Sequence, residues 1–140
     1  MWKYYAILSA IFASLTAIFA KIGIKNVDSN LATAIRTCII FLITWGIVFV
    51  SNRVGGIKEL TKINWIFLVL SGVATGLSWL FYFKALQLGD ASKVAPIDKL
   101  SVVFTIFISF VILKETVSWK VILGGLLIAG GSLVILMDEQ

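Results

Sequence analysis

Long apolar runs recur from one end of the chain to the other, separated by short polar intervals. A helix that crosses a bilayer needs about 20 mostly apolar residues, because each adds about 1.5 Å and the hydrocarbon core is about 30 Å thick. Five stretches meet that length, at about residues 2–24, 31–51, 65–86, 94–113 and 119–137. The intervals between them are too short for a separate soluble domain. The pattern predicts an all-α, polytopic membrane protein, a bundle of five transmembrane helices forming one domain over residues 1–140.

Composition agrees, with 60 % hydrophobic and 14 % charged residues. Segment one is longer than the apolar core of a signal peptide, and no small-residue cleavage site precedes "KIGIKN", so it is expected to be retained. Histidine is absent and the one cysteine, Cys38, lies inside segment two. Neither a disulfide nor a cysteine metal cluster is therefore available, and no metal or cofactor is expected. The net charge of +5 is scattered over loops and helix ends, which suits anionic lipid headgroups rather than nucleic acid. Trp2, Trp65 and Trp119 each open an odd-numbered segment and form an aromatic belt at one surface, called side A. Trp45 and Trp79 fall within spans, where packing is their ordinary role.

Segment four poses a problem of length. The residues from Leu100 to Leu113 are too few to span, so the helix must reach back through Asp98, Pro96 and Val94 in "KVAPIDKLS". A start near Ser92 or Lys93 would leave Pro96 in the first turn, where a missing N–H matters little, and Asp98 near a positive helix end. Ionisable groups inside spans are costly and normally face the bundle. Alternating passage through the membrane brings Lys21, Arg36, Lys84, Asp98 and Lys99 to comparable depth on the opposite side, side B. Lys21 and Lys84 stand close to segment ends and can also reach headgroups. Arg36 and Asp98 have less freedom to do so.

At helical spacing Asp98 is followed by Ser101, Thr105 and Ser109; Arg36 shares a stripe with Thr33, Thr37 and Thr44; segment three carries Ser71, Thr75, Ser78 and Tyr82; segment one adds Ser9 and Thr16. Taken singly, such hydroxyls satisfy backbone carbonyls or join helices. Four stripes ending at charges point to a shared wettable interior. The candidate substrate-binding residues are Arg36, Asp98, Lys99, Lys84, Trp79, Tyr82, Ser101 and Thr105. Segment five, with "GGLLIAGGSL", has no ionisable residue between Lys120 and Asp138 and reads as scaffold or oligomer contact. The GxxxG of segment three, Gly72 to Gly76, also permits close packing.

The run "KVAPIDKLSVVFTIF" and the ending "FVILKETVSWKVILGGLLIAGGSLVI", with Lys114 and Glu115 in the turn before a glycine-rich last helix, resemble a single EamA domain of the drug/metabolite transporter superfamily. In particular they resemble its five-helix bacterial and archaeal branch. The resemblance covers essentially the whole chain and implies transport of a small metabolite by alternating access across a bacterial or archaeal cytoplasmic membrane. It implies no particular substrate. The four-helix multidrug branch uses a glutamate in helix one, and segment one here has no acidic residue, so a cationic-drug mechanism of that kind does not carry over. One embedded acid among several cations favours substrates with a carboxylate or phosphate, zwitterions included, with an apolar part against Trp79, Tyr82 and Phe83. No phosphate-cradling glycine loop, metal cluster or paired nucleophile suggests an enzyme. A membrane interaction or scaffold protein without a transport path is the alternative, and it gives no account of Arg36 or Asp98.

Five helices lack the pseudo-symmetric second half that alternating access usually employs, so a homodimer is expected, with an antiparallel arrangement mimicking the inverted domains of larger relatives. Counting each cation at its nearer surface gives six on side A (Lys3, Arg53, Lys58, Lys62, Lys114, Lys120) and six on side B (Lys21, Lys25, Arg36, Lys84, Lys93, Lys99), a balance that suits dual topology. Leaving out the embedded Lys21, Arg36, Lys84 and Lys99 instead predicts side A, with the N-terminus, in the cytoplasm.

Overall fold

A computed structural model describes residues 1–138, and those residues form helices without strands. The helices are α1 (Trp2–Gly23), α2 (Ser29–Val50), a 3-10 turn (Val54–Glu59), α3 (Lys62–Leu88), α4 (Ala91–Asp98), α5 (Ser101–Ile108), a π-helical turn (Ser109–Leu113) and α6 (Trp119–Leu136). With α4, α5 and the π turn taken as one span, Ala91–Leu113, five helices are long and apolar enough to cross a membrane. The all-α, five-span architecture expected from the apolar runs is the one observed.

Local chemistry sets the helix ends. Asp28 caps α2, its Oδ1 accepting from the backbone N–H of Asn30 at 2.9 Å and of Leu31 at 3.0 Å. At the other end Asn52 takes up the left-handed region, φ 55°, and the N–H of Arg53 donates to the carbonyl of Val48 at 3.1 Å. That closure satisfies carbonyls the helix would otherwise leave open. Thr61 Oγ1 accepts from the N–H of Asn64 at 3.2 Å and starts α3. With 27 residues, α3 runs about 40 Å at the usual rise, longer than the hydrocarbon core, so it tilts or projects beyond it.

The chain divides into two compact units, Ala20–Gln87 and the remainder, Met1–Phe19 with the residues from Leu88 onward. In the first, Ile24, Ser29, Thr33, Phe83 and Leu86 are buried. Apolar side chains otherwise lie outside: Val50 is 89 % and Phe81 74 % exposed, an inversion that only a lipid solvent makes favourable. The Lys21 ammonium donates to the Leu86 carbonyl at 2.8 Å and Gln87 Nε2 to the Val27 carbonyl at 2.8 Å, tying the α1–α2 turn to the end of α3.

In the second unit α6 packs on both α4 and α5. Gly125 makes this approach possible, since a Cβ there would stand 2.8 Å from Ile106 Cδ1. Gly125→Ala is expected to cost less than about 1 kcal/mol, because that methyl can turn away, whereas Gly125→Val should cost about 1–3 kcal/mol as overpacking. The midpoint of thermal unfolding in detergent measures both, and a valine variant as stable as the wild type would show that this contact is loose.

Segment four departs from expectation. Its helix begins earlier, at Ala91, with Asp90 at the cap, so Pro96 is the sixth helical residue rather than a member of the first turn. Pro96 forfeits a bond there and crowds the preceding turn. Helix α4 accordingly ends at Asp98, and a two-residue break precedes α5. Asp98 therefore closes one helix and stands ahead of the next, instead of lying at the start of a continuous span.

Candidate functional site

The predicted site residues fall four to each unit: Arg36, Trp79, Tyr82 and Lys84 in one, Asp98, Lys99, Ser101 and Thr105 in the other.

In the first, Arg36 projects from α2 onto α3. Its guanidinium carbon stands 4.1 Å from the centre of the Phe83 ring and 5.9 Å from that of Trp79. Trp79 and Phe83 are four residues apart and so share a helix face. The Phe83 ring is itself 2 % exposed and is met edge-on by Tyr82 at 5.6 Å, which fixes the platform. A cation on an aromatic face gains about 0.5 to 2 kcal/mol between exposed and desolvated settings, and the half-buried Arg36 falls between them. What the aromatics do not supply is a hydrogen-bond acceptor. Arg36 Nη1 is buried with no hydrogen-bond partner among the described residues. Such a donor is costly to leave unmade, and a carboxylate or phosphate oxygen answers it with a charge-assisted bond. Lys84 turns elsewhere, its ammonium donating to Gln87 Oε1 at 3.3 Å.

In the second unit Lys99 Nζ lies 3.6 Å from Asp98 Oδ2, and both side chains are substantially exposed, 54 % and 39 %. A carboxylate open at a helix break inside a span is not solvated by lipid and has to face a polar path or another protein surface. Thr105 Oγ1 donates to the Ser101 carbonyl at 2.8 Å. The same back-bonding holds Thr33, Thr37, Thr44 and Thr75. These stripe hydroxyls have thus committed their protons to their own helices and keep only acceptor capacity.

Ser132 behaves differently. It is 3 % exposed, and its hydroxyl crosses from α6 to donate to the Pro96 carbonyl at 2.8 Å. Sequence reasoning passed over it by treating segment five as scaffold, although a lone hydroxyl in an otherwise apolar helix was a legible signal. Lys93, also passed over, pairs with Asp138 at 3.2 Å between the start of α4 and the residues after α6.

Five membrane-spanning helices, a guanidinium with an unmet donor and a charged pair within a span define a polytopic membrane protein with embedded polar groups. The chain belongs to the EamA-like transporter family, which it matches over residues 1–137, and it is a membrane transporter. It is similar to an uncharacterized transporter in the cobO 3' region of Sinorhizobium sp, with 45 % identity over 134 residues covering 96 % of this chain and 95 % of that protein. No solved structure matches it.

Proposed function

We propose that this protein is a secondary transporter that moves a small metabolite bearing an anionic or zwitterionic group by alternating access across a bacterial or archaeal cytoplasmic membrane. The observation that carries the reading is the Arg36 guanidinium, held over the Phe83 ring at 4.1 Å with its Nη1 lacking an acceptor among the described residues. A planar fork of this kind suits two-point binding of a carboxylate or phosphate. Trp79 and Tyr82 offer the substrate an apolar wall. In its own unit Asp98, supported by its neighbour Lys99, exchanges that partner for a cationic group or a proton during the cycle, with Ser101 and Thr105 as acceptors on its helix; in the other unit Lys84 guides anions towards Arg36.

The transporting unit is a homodimer, with an antiparallel arrangement supplying the inverted half. Its support is the even spread of cations over the two surfaces and an open GxxxG face on α3, where nothing lies within 4 Å of a Cβ built at Gly72 or Gly76.

Thermal unfolding of the purified protein against amino acids, dicarboxylates and sugar phosphates, with choline and tetraphenylphosphonium as cationic controls, tests the reading. A true ligand at a hundred times its Kd stabilises by about 2.7 kcal/mol, a readily measured rise in midpoint. Carboxylates or phosphates should raise it and the controls should not; a flat response, or one confined to the cations, refutes the anionic preference. Native mass measurement of the same protein in nanodiscs should find two chains, and a single chain refutes the dimer.

A further inference from the structure

The threonine hydroxyls back-bonded within α2, α3 and α5 spend their protons on their own helices; that of Ser132 joins two. Its partner is the carbonyl of Pro96, the last turn of α4 before the break. Around this point the backbone abandons four-residue hydrogen bonding. The N–H of Lys99 donates to Pro96 at 3.0 Å, that of Leu100 to Ile97 at 3.0 Å, that of Val102 to Lys99 at 3.0 Å and that of Val103 to Leu100 at 3.0 Å. Three-residue bonds thus carry the chain across the break from α4 to α5, a turn with poorer hydrogen-bond geometry than the helices it joins. The Pro96 carbonyl has two lone pairs; Lys99 takes one and Ser132 the other.

Helix α6 also grips the far side of the break. Gly125 admits Ile106 of α5, while Ser132 binds α4, seven residues further along α6. Two turns separate these grips, so α6 acts as a splint laid across the discontinuity. Lys93 and Asp138 add a third tie beyond it. Asp98 and Lys99 lie at the splinted point.

We infer that Ser132 is a positioning residue, whose bond to the Pro96 carbonyl holds the α4–α5 break and thereby sets where Asp98 is presented. Ser132 touches no substrate in this scheme; it acts through the backbone that carries the carboxylate. The functional weight of the inference rests on the role given to Asp98 above, but the geometric claim stands apart from transport and is tested apart from it.

The test uses full-length protein in nanodiscs with Cys38→Ser and Asp98→Cys, and follows alkylation of the new thiol by N-ethylmaleimide. Adding Ser132→Ala should change that rate about fivefold, the factor carried by one ordinary buried hydrogen bond, and Ser132→Thr, which restores the hydroxyl, should bring it back within about twofold. A parallel thiol at Glu115, beyond the π turn, should keep its rate in all three backgrounds. An unchanged rate at position 98 in the alanine variant, or an equal change at positions 98 and 115, overturns the inference, since the first denies any positioning and the second is general loosening. Because N-ethylmaleimide reads the surroundings of the thiol, its access and its ionisation, and not transport, wild-type uptake by Asp98→Asn would defeat the transport role of Asp98 without altering this outcome.

Discussion

Asp98→Asn should insert, assemble and melt like the wild type while uptake of a stabilising carboxylate into proteoliposomes falls at least tenfold. The structure explains why the two readouts separate. Asp98 is 39 % exposed and its ion-pair partner among the described residues is the adjacent Lys99 at 3.6 Å, a pair between open side chains of the kind worth about 0–1 kcal/mol. Asparagine keeps the size and a polar oxygen, so little stability is at risk. What it cannot do is exchange a counter-charge, which the proposed cycle requires of this position. A purely structural carboxylate at a helix end gives the opposite result: slightly lower stability, about 0.3 to 1 kcal/mol, and uptake at the wild-type rate. Wild-type uptake would remove Asp98 from the mechanism.

Arg36→Ala is expected to raise the Kd for carboxylate or phosphate ligands about 10- to 100-fold, as loss of one or two charge-assisted hydrogen bonds implies, while leaving weaker binding of neutral analogues nearly unchanged. The apoprotein should not be destabilised in proportion. Its Nη1 is buried without a hydrogen-bond partner among the described residues, and removing that group relieves a cost as well as losing the contact with the Phe83 ring. Arg36→Lys sharpens the test, because an ammonium keeps the charge but lacks the planar fork and the stacked face. It should recover only part of the affinity. Isothermal titration with one carboxylate and its amide analogue measures all three proteins. An alanine variant that loses both ligands equally would show that Arg36 shapes the protein rather than reading the anion.

How much was legible differs from residue to residue. Arg36 stood out because it lies five residues inside a helix-length apolar run, counted from Leu31, on a stripe with Thr33, Thr37 and Thr44. Its pairing with Phe83 was not legible, since a phenylalanine on an apolar helix looks the same whether it meets lipid, core or a guanidinium. Pro96 signalled a special position, yet whether it opens a helix or breaks one depended on where the helix began, which is at Ala91. The threonine stripes suggested a wet interior by their spacing, but spacing does not say where a proton goes. Five threonines spend theirs on a carbonyl of their own helix.

The linear order of residues determined the class of this protein, its five spans and its family resemblance, because a bilayer demands about 20 apolar residues per crossing and a backbone that satisfies itself, and both demands are local. Tertiary structure alone decided which polar groups find each other. Arg36 stacks on a ring 47 residues away in the chain, and Ser132 reaches a carbonyl 36 residues away, contacts fixed by how neighbouring helices rotate and approach. Helix rotation in lipid is governed by close packing at small residues such as Gly125 and by a few hydrogen bonds, with no contrast between water and core to orient each face. That is why the spans could be read from the sequence and the contacts among the embedded side chains could not.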